Sequence, residues 1–194
     1  MRALIIFLVI TGLLSFRSST SATADKLVYI KNSSSLSIIG KTNVNTFKCR
    51  YDIEEISDPL QVGYTQIDET LTFNSAVLHL QNEYFDCGGK MINSDLHKLL
   101  DTPRHPEVTI DLQRVYPHPR IKNNYIAAVS ITIAGVSKQY DMFLKVTPED
   151  DLSVKGVLEI MLPDFNLEPP QKALGMIRVK DDLVIEFLLD LVEA

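Results

Sequence analysis

The residue types able to do chemistry are present in this chain, but their spacing supports very little of it. Gly40-Lys41-Thr42 ends like a phosphate loop. Such a loop wraps its phosphate in backbone N–H groups only if another glycine stands five residues before the second one. Position 35 is Ser, and no helical pattern follows Thr42, so the triplet reads as a strand-to-strand turn. The four histidines, His79, His97, His105 and His118, are scattered, with no i,i+4 pair and no metal-site pattern of carboxylates. The fold would have to gather His97 with Asp95 and Glu83, and the spacing gives no reason to expect it. No Gly-x-Ser-x-Gly elbow holds a nucleophilic serine, and the serines cluster at 33–35, as loop residues do. The carboxylates of Glu149-Asp150-Asp151 and Asp181-Asp182 sit at expected turns, where acidic side chains bond their own backbone and face water. The sequence therefore nominates no catalytic residue, no metal ligand and no cofactor.

Cys49 and Cys87 are read together with the first residues. Met1-Arg2 carries a positive charge, residues 3–16 are almost wholly apolar, and small residues follow as far as Ala22-Thr23-Ala24. That is the layout of a secretory signal peptide with cleavage after Ala24, giving a leader of 1–24 and a mature domain of 25–194. The apolar run is shorter than the roughly 20 residues a spanning helix needs, and Arg17 interrupts it, so no stable membrane insertion is expected after cleavage. An exported chain meets oxidising conditions, where an even cysteine count reads as a disulfide. Such a bridge constrains the unfolded chain by about 3–4 kcal/mol. Two buried free thiols are the alternative.

Charge removes further classes. The chain has a formal net charge of −6, and loss of Arg2 and Arg17 with the leader takes it to about −8. An acidic chain without a basic cluster lacks the footprint of nucleic-acid binding. The length suits one domain with a sizeable core, and 45% hydrophobic residues exclude a disordered chain.

The elements that must position any site are strands. Val108-Thr109-Ile110-Asp111-Leu112 alternates apolar and polar, as do Tyr140, Met142, Leu144 and Val146 with the residues between them, Phe143 excepted. Leu152, Val154, Gly156, Leu158, Ile160 and Leu162 form another row, and Leu183, Ile185, Phe187, Leu189 and Leu191 a fourth. Further strands are expected at 26–31, 35–39, 44–51, 70–80 and 125–134, separated by turn formers that include Gly40, Asp58-Pro59, Gly63, Asn123-Asn124 and Gly135. A helix is expected over 94–102, capped by Asn93 or Ser94 and stopped by Pro103, with Met91, Leu96, Leu99 and Leu100 as its apolar stripe. Residues 163–174 read as a loop over one end. About eight or nine strands in hairpin order argue for a sandwich or a closed antiparallel barrel, the strand lengths favouring the barrel. A barrel of this size is filled by its own side chains or holds one elongated ligand. Small residues on the rows, Ala127, Ala128 and Gly156, favour space; Phe73, Tyr140, Met142 and Phe187 favour filling.

Four segments resemble the YceI-like family over roughly residues 27–191. They are the stretch from Ser34 to Phe47, Met91-Ile92-Asn93-Ser94-Asp95-Leu96 with His105-Pro106-Glu107-Val108, Ile131-Thr132-Ile133-Ala134-Gly135-Val136, and the closing pair 164–170 and 175–179. The resemblance implies a mainly β, closed antiparallel up-and-down (lipocalin-like) barrel with a short helix capping one end. It also implies an exported, periplasmic or secreted, non-enzymatic protein holding a polyisoprenoid or other amphiphilic lipid inside. The alternative is a packed barrel with a structural or protein-interaction role. A homodimer is admitted among its partners. The wall residues drawn from the apolar rows are Phe73, Val77, Ile110, Leu112, Ile131, Ile133, Tyr140, Met142, Leu144, Leu158, Ile160 and Phe187.

Overall fold

The computed structural model describes residues 21–148, 152–172 and 176–194. Among them are thirteen strands: β1 (Ser21–Ile30), β2 (Ser35–Thr42), β3 (Thr46–Tyr51), β4 (Leu60–Ile67), β5 (Thr70–Ser75), β6 (Val77–Gln81), β7 (Phe85–Asp86), β8 (Glu107–Pro117), β9 (Asn124–Ile133), β10 (Val136–Pro148), β11 (Leu152–Met161), β12 (Gln171–Lys172) and β13 (Ile177–Glu193). One helix, α1 (Lys90–Leu99), lies between β7 and β8. Every pairing is antiparallel.

Eight strands close a ring in the order β1, β4, β5, β8, β9, β10, β11, β13, with β13 returning to β1 through Ile30 against Leu191 and Val28 against Glu193. The fold is therefore a mainly β, lipocalin-like barrel. β13 is the spine: its last residues meet β1, its earlier ones meet β2, and β11 runs along its other side. β2, β3 and β7 extend the wall beyond β1 toward one end, here called the upper end.

The alternating rows produce this geometry directly. In β9, Ala127, Val129, Ile131 and Ile133 are buried, while Ala128, Ser130 and Thr132 between them are only half-buried. Cross-strand register then carries the inward face round the ring: Met142 against Ala127, Leu144 against Gly156, Leu158 against Ile185, and Leu36 against Phe187.

Several expected boundaries move. The strand read across 70–80 breaks at Ala76 into β5 and β6, and Leu112 N–H bonds the freed Ala76 carbonyl at 3.0 Å. β4 runs through Gly63, read as a turn former, because Asn74 and Asp25 fill the space a side chain there would need. Asp181 and Asp182 lie inside β13, at a register shift between Val179 and Leu183, rather than in a turn. Gly40-Lys41-Thr42 belongs to β2; the turn follows, with Thr42 Oγ1 accepting from the N–H groups of Val44 and Asn45.

The helix starts one turn earlier than expected, after Gly89 and without a side-chain cap. Asn93 is not its cap: its Oδ1 accepts from Cys87 N–H at 2.8 Å, and its amide donates to Asp86, fastening the segment before the helix. Residues 1–20, most of the expected leader, and the acidic turn at 149–151 lie outside the described residues, whereas 21–24 pair with β4.

Candidate functional site

Eleven of the twelve expected wall residues share the inward face. Ile110 pairs with Ile131, Leu112 with Val129, Tyr140 with Val129, and Ile160 with Leu183; Phe73 stands against Tyr64, their rings 5.8 Å apart. Ile133, Met142, Leu144, Leu158 and Phe187 lie on the same rows. Val77 does not. It pairs with Asp111 on the outer face, and Leu78, opposite Ile110, takes the inward position.

The inward rows are sealed above and looser below. At the upper end, Ile131 is 0% and Phe165 1% exposed, and Leu80, Phe85, Ile160 and Leu162 are equally enclosed. Leu162 and Phe165 belong to a short 3-10 turn (Leu162–Phe165) that folds over the opening, while Leu96, Leu99 and Leu100 bring α1 against the core. Tyr140 braces this plug: its hydroxyl donates to Asp164 at 2.8 Å and its ring stacks on Phe165. Burial, then the Asp164 carboxylate, push its phenol up to about 12.

Toward the lower end, inward side chains such as Leu71, Val115, Tyr125, Val154 and Leu189 are only half-buried. Apolar side chains lining partly accessible space are what an apolar ligand needs. Gly156 provides less of that space than the sequence suggested. The Phe187 ring and Leu144 occupy the volume its missing side chain leaves, so the glycine seats an aromatic neighbour.

A lateral cleft opens where the wall changes partners. β5 stops at Ser75, β6 keeps to β8 without pairing with β4, and the start of β4 is left without a strand on that side. A cavity of about 440 Å³ results, with Tyr51, Ile56, Leu60, Val77 and Leu78 among its walls and Glu55 and Asp58 at its edge. Leu60 and Leu78 are half-buried residues packed against the core, so the cleft reaches the inward rows. Sequence reasoning missed Leu60, Leu71, Leu78 and Val115. Leu60 lies in β4, which carries no alternation that reads as a strand, and Leu78 follows the break at Ala76. Val115 follows a register shift after Leu112 that puts Arg114 outside; only Leu71 continues a row, that of Phe73, within the expected strand.

Cys49 and Cys87 form a disulfide with Cα atoms 3.8 Å apart, tying β3 to the segment that leads into α1. The histidines do separate, local work. His79 Nδ1 lies 2.9 Å from Glu107; His118 accepts from the N–H groups of Arg120 and Ile121; His105 packs over Gly135. The buried Nε2 of His97 and Oδ1 of the enclosed Asn82 have no partner. Among the described residues no three His, Cys, Asp or Glu side chains gather as a metal site, and no helix is long and apolar enough to cross a membrane.

The architecture is that of a small lipocalin-like barrel with one sealed end. Neither a protein-family model nor a curated protein matches this sequence. Solved structures do match in shape. BcnA of Burkholderia cenocepacia is 20% identical with a TM-score of 0.60, covering 84% of this chain and 99% of its own. A polyisoprenoid binding domain from Saccharophagus degradans, implicated in plant cell wall breakdown, is 14% identical with a TM-score of 0.61, covering 87% and 99%. At these identities the likeness is one of fold, and the YceI-like resemblance holds at that level.

Proposed function

We propose that this chain is an exported binding protein that holds a long apolar or amphiphilic lipid, of polyisoprenoid type, in the lower half of its barrel. The observation that carries this reading is the gradient along the inward rows, which are mostly apolar: closed at the plugged end and half-accessible at the other. Burial of apolar surface gains about 25 cal/mol per Å², or ~0.8 kcal/mol per methylene, so a long chain needs few polar contacts. Leu71, Phe73, Leu112, Tyr125, Leu189 and Phe187 would make the contacts, and the lateral cleft supplies a second way in. The polyisoprenoid-binding domain with the same fold supports the ligand class. The leader pattern and the disulfide support export to an oxidising compartment.

Mass spectrometry of organic extracts from the purified protein tests the reading, with a thermal melt in the presence of a long-chain prenol. Wild type is expected to release an apolar compound and to melt higher with the prenol. Leu189→Trp, inside, should lose most of that load, whereas Thr72→Trp, on the outer face, should keep it. A wild-type protein that yields no apolar compound and gains no stability from prenol returns the barrel to a structural role.

A further inference from the structure

The outward faces of β10 and β11 carry one pattern in opposite chain directions. β10 presents Asp141, Phe143 and Lys145; β11 presents Glu159, Val157 and Lys155. Phe143 pairs with Val157 and Lys145 with Lys155, so the face reads as an acidic row, an apolar row and a basic row. Neighbouring rows are two residues apart, about 6.6 Å along the strands.

All six side chains are exposed, Phe143 by 64% and Val157 by 48%. The apolar row continues across the sheet, Ile126 pairing with Phe143 and Tyr116 with Ile126. None of the four charged residues is in an ion pair with another described residue. An apolar strip of this kind between unused charges of opposite sign marks an interaction face.

The order of the rows specifies the partner. A two-fold axis laid along the apolar row turns a second copy over and reverses its strands. Each acidic row then faces a basic row: Asp141 meets Lys145 of the partner subunit, and Glu159 meets Lys155 of the partner subunit. Stacking with strands in the same direction would instead set acid on acid and lysine on lysine, which is costly. We propose that this face joins two copies of the chain about that axis, with Phe143 and Val157 at the centre and the four charge pairs fixing the orientation. Self-complementarity under a two-fold is what an isologous dimer requires.

Sedimentation velocity of the full purified chain over a concentration series, at low and high salt, reads the association. Wild type should dimerise. K145E/K155E, which makes both outer rows acidic, should weaken the dimer by about tenfold to a hundredfold, because exposed attractions become repulsions. D141K/E159K, which makes both rows basic, should do the same. An equimolar mixture of these two variants should recover dimers, since every acidic row again finds a basic one. Phe143→Asp should weaken the dimer without repair by mixing. All these positions are exposed, so melting temperatures should stay close to wild type. The proposal is overturned by a wild type that stays monomeric, including one whose Phe143 face binds lipid vesicles instead. A dimer indifferent to K145E/K155E, or a mixture that fails to reassociate, overturns it equally.

Discussion

Asp190 gathers hydrogen bonds through its carboxylate and its N–H at the point where β1 gives way to β2. Ser33 Oγ donates to its Oδ2 at 2.7 Å, Ser153 Oγ to its Oδ1 at 2.8 Å, and its own N–H donates to Ser34 Oγ at 2.9 Å. Donors aimed at the carboxylate favour the ionised form, and Lys31 adds to them, so the group titrates below its ordinary value near 3.8. A carboxyl lowered by folding contributes stability above its unfolded pKa, and that contribution fades as pH falls through the folded one. Asp190→Asn should therefore narrow the gap to wild type in melting temperature as pH drops from neutral to below about 3. An unchanging gap across that range would mean that the ionised carboxylate is not what the two serines stabilise. Phe165, enclosed beneath Tyr140, is the other residue with a sharp consequence. Phe165→Ala should cost about 3–5 kcal/mol in chemical denaturation, because it empties the plug.

At the scale of elements, β1 joins the barrel to the question of export. Cleavage after Ala24 would remove the four rungs from Ser21 opposite Ile67 to Ala24 opposite Tyr64, and would leave Asp25 to Val28 paired with β4. Intact mass of exported protein should begin at Asp25; a mature chain retaining residues 21–24 would place the boundary upstream of the strand. The rows of β8, β9, β10, β11 and β13 were legible because alternation over many residues allows only one face to be buried. Val77 was misread for the same reason. If 70–80 is one strand, Phe73 inward implies Val77 inward, but the break at Ala76 shifts the phase by one residue and turns Leu78 inward instead. β4 was hidden because Gly63 and Pro59 resemble punctuation, and only the side chains of Asp25 and Asn74 show why a glycine sits mid-strand. The lateral cleft arises because β5 bridges β4 and β8 whereas β6 pairs with β8 alone, which no local pattern records.

For the whole molecule, the two proposed surfaces lie apart. In the ring, β10 stands four strands from β4, across the barrel from the lateral cleft, so pairing through β10 and β11 leaves both the cleft and the lower opening uncovered. β13 has one more consequence, and it concerns the order in which the molecule can form. This strand pairs with β1, β2, β11 and β12, yet it occupies residues 177–193. A chain made or threaded from its N-terminus therefore carries unsatisfied edges on β1, β2 and β11 until those residues arrive. The closing contact between Ile30 and Leu191 joins positions almost a whole chain apart. Contacts that distant are entropically slow to make, and open edges recruit other chains in the meantime. The barrel is thus most exposed to misassembly just before it is complete, and a chaperone able to cover sheet edges would matter most during that interval.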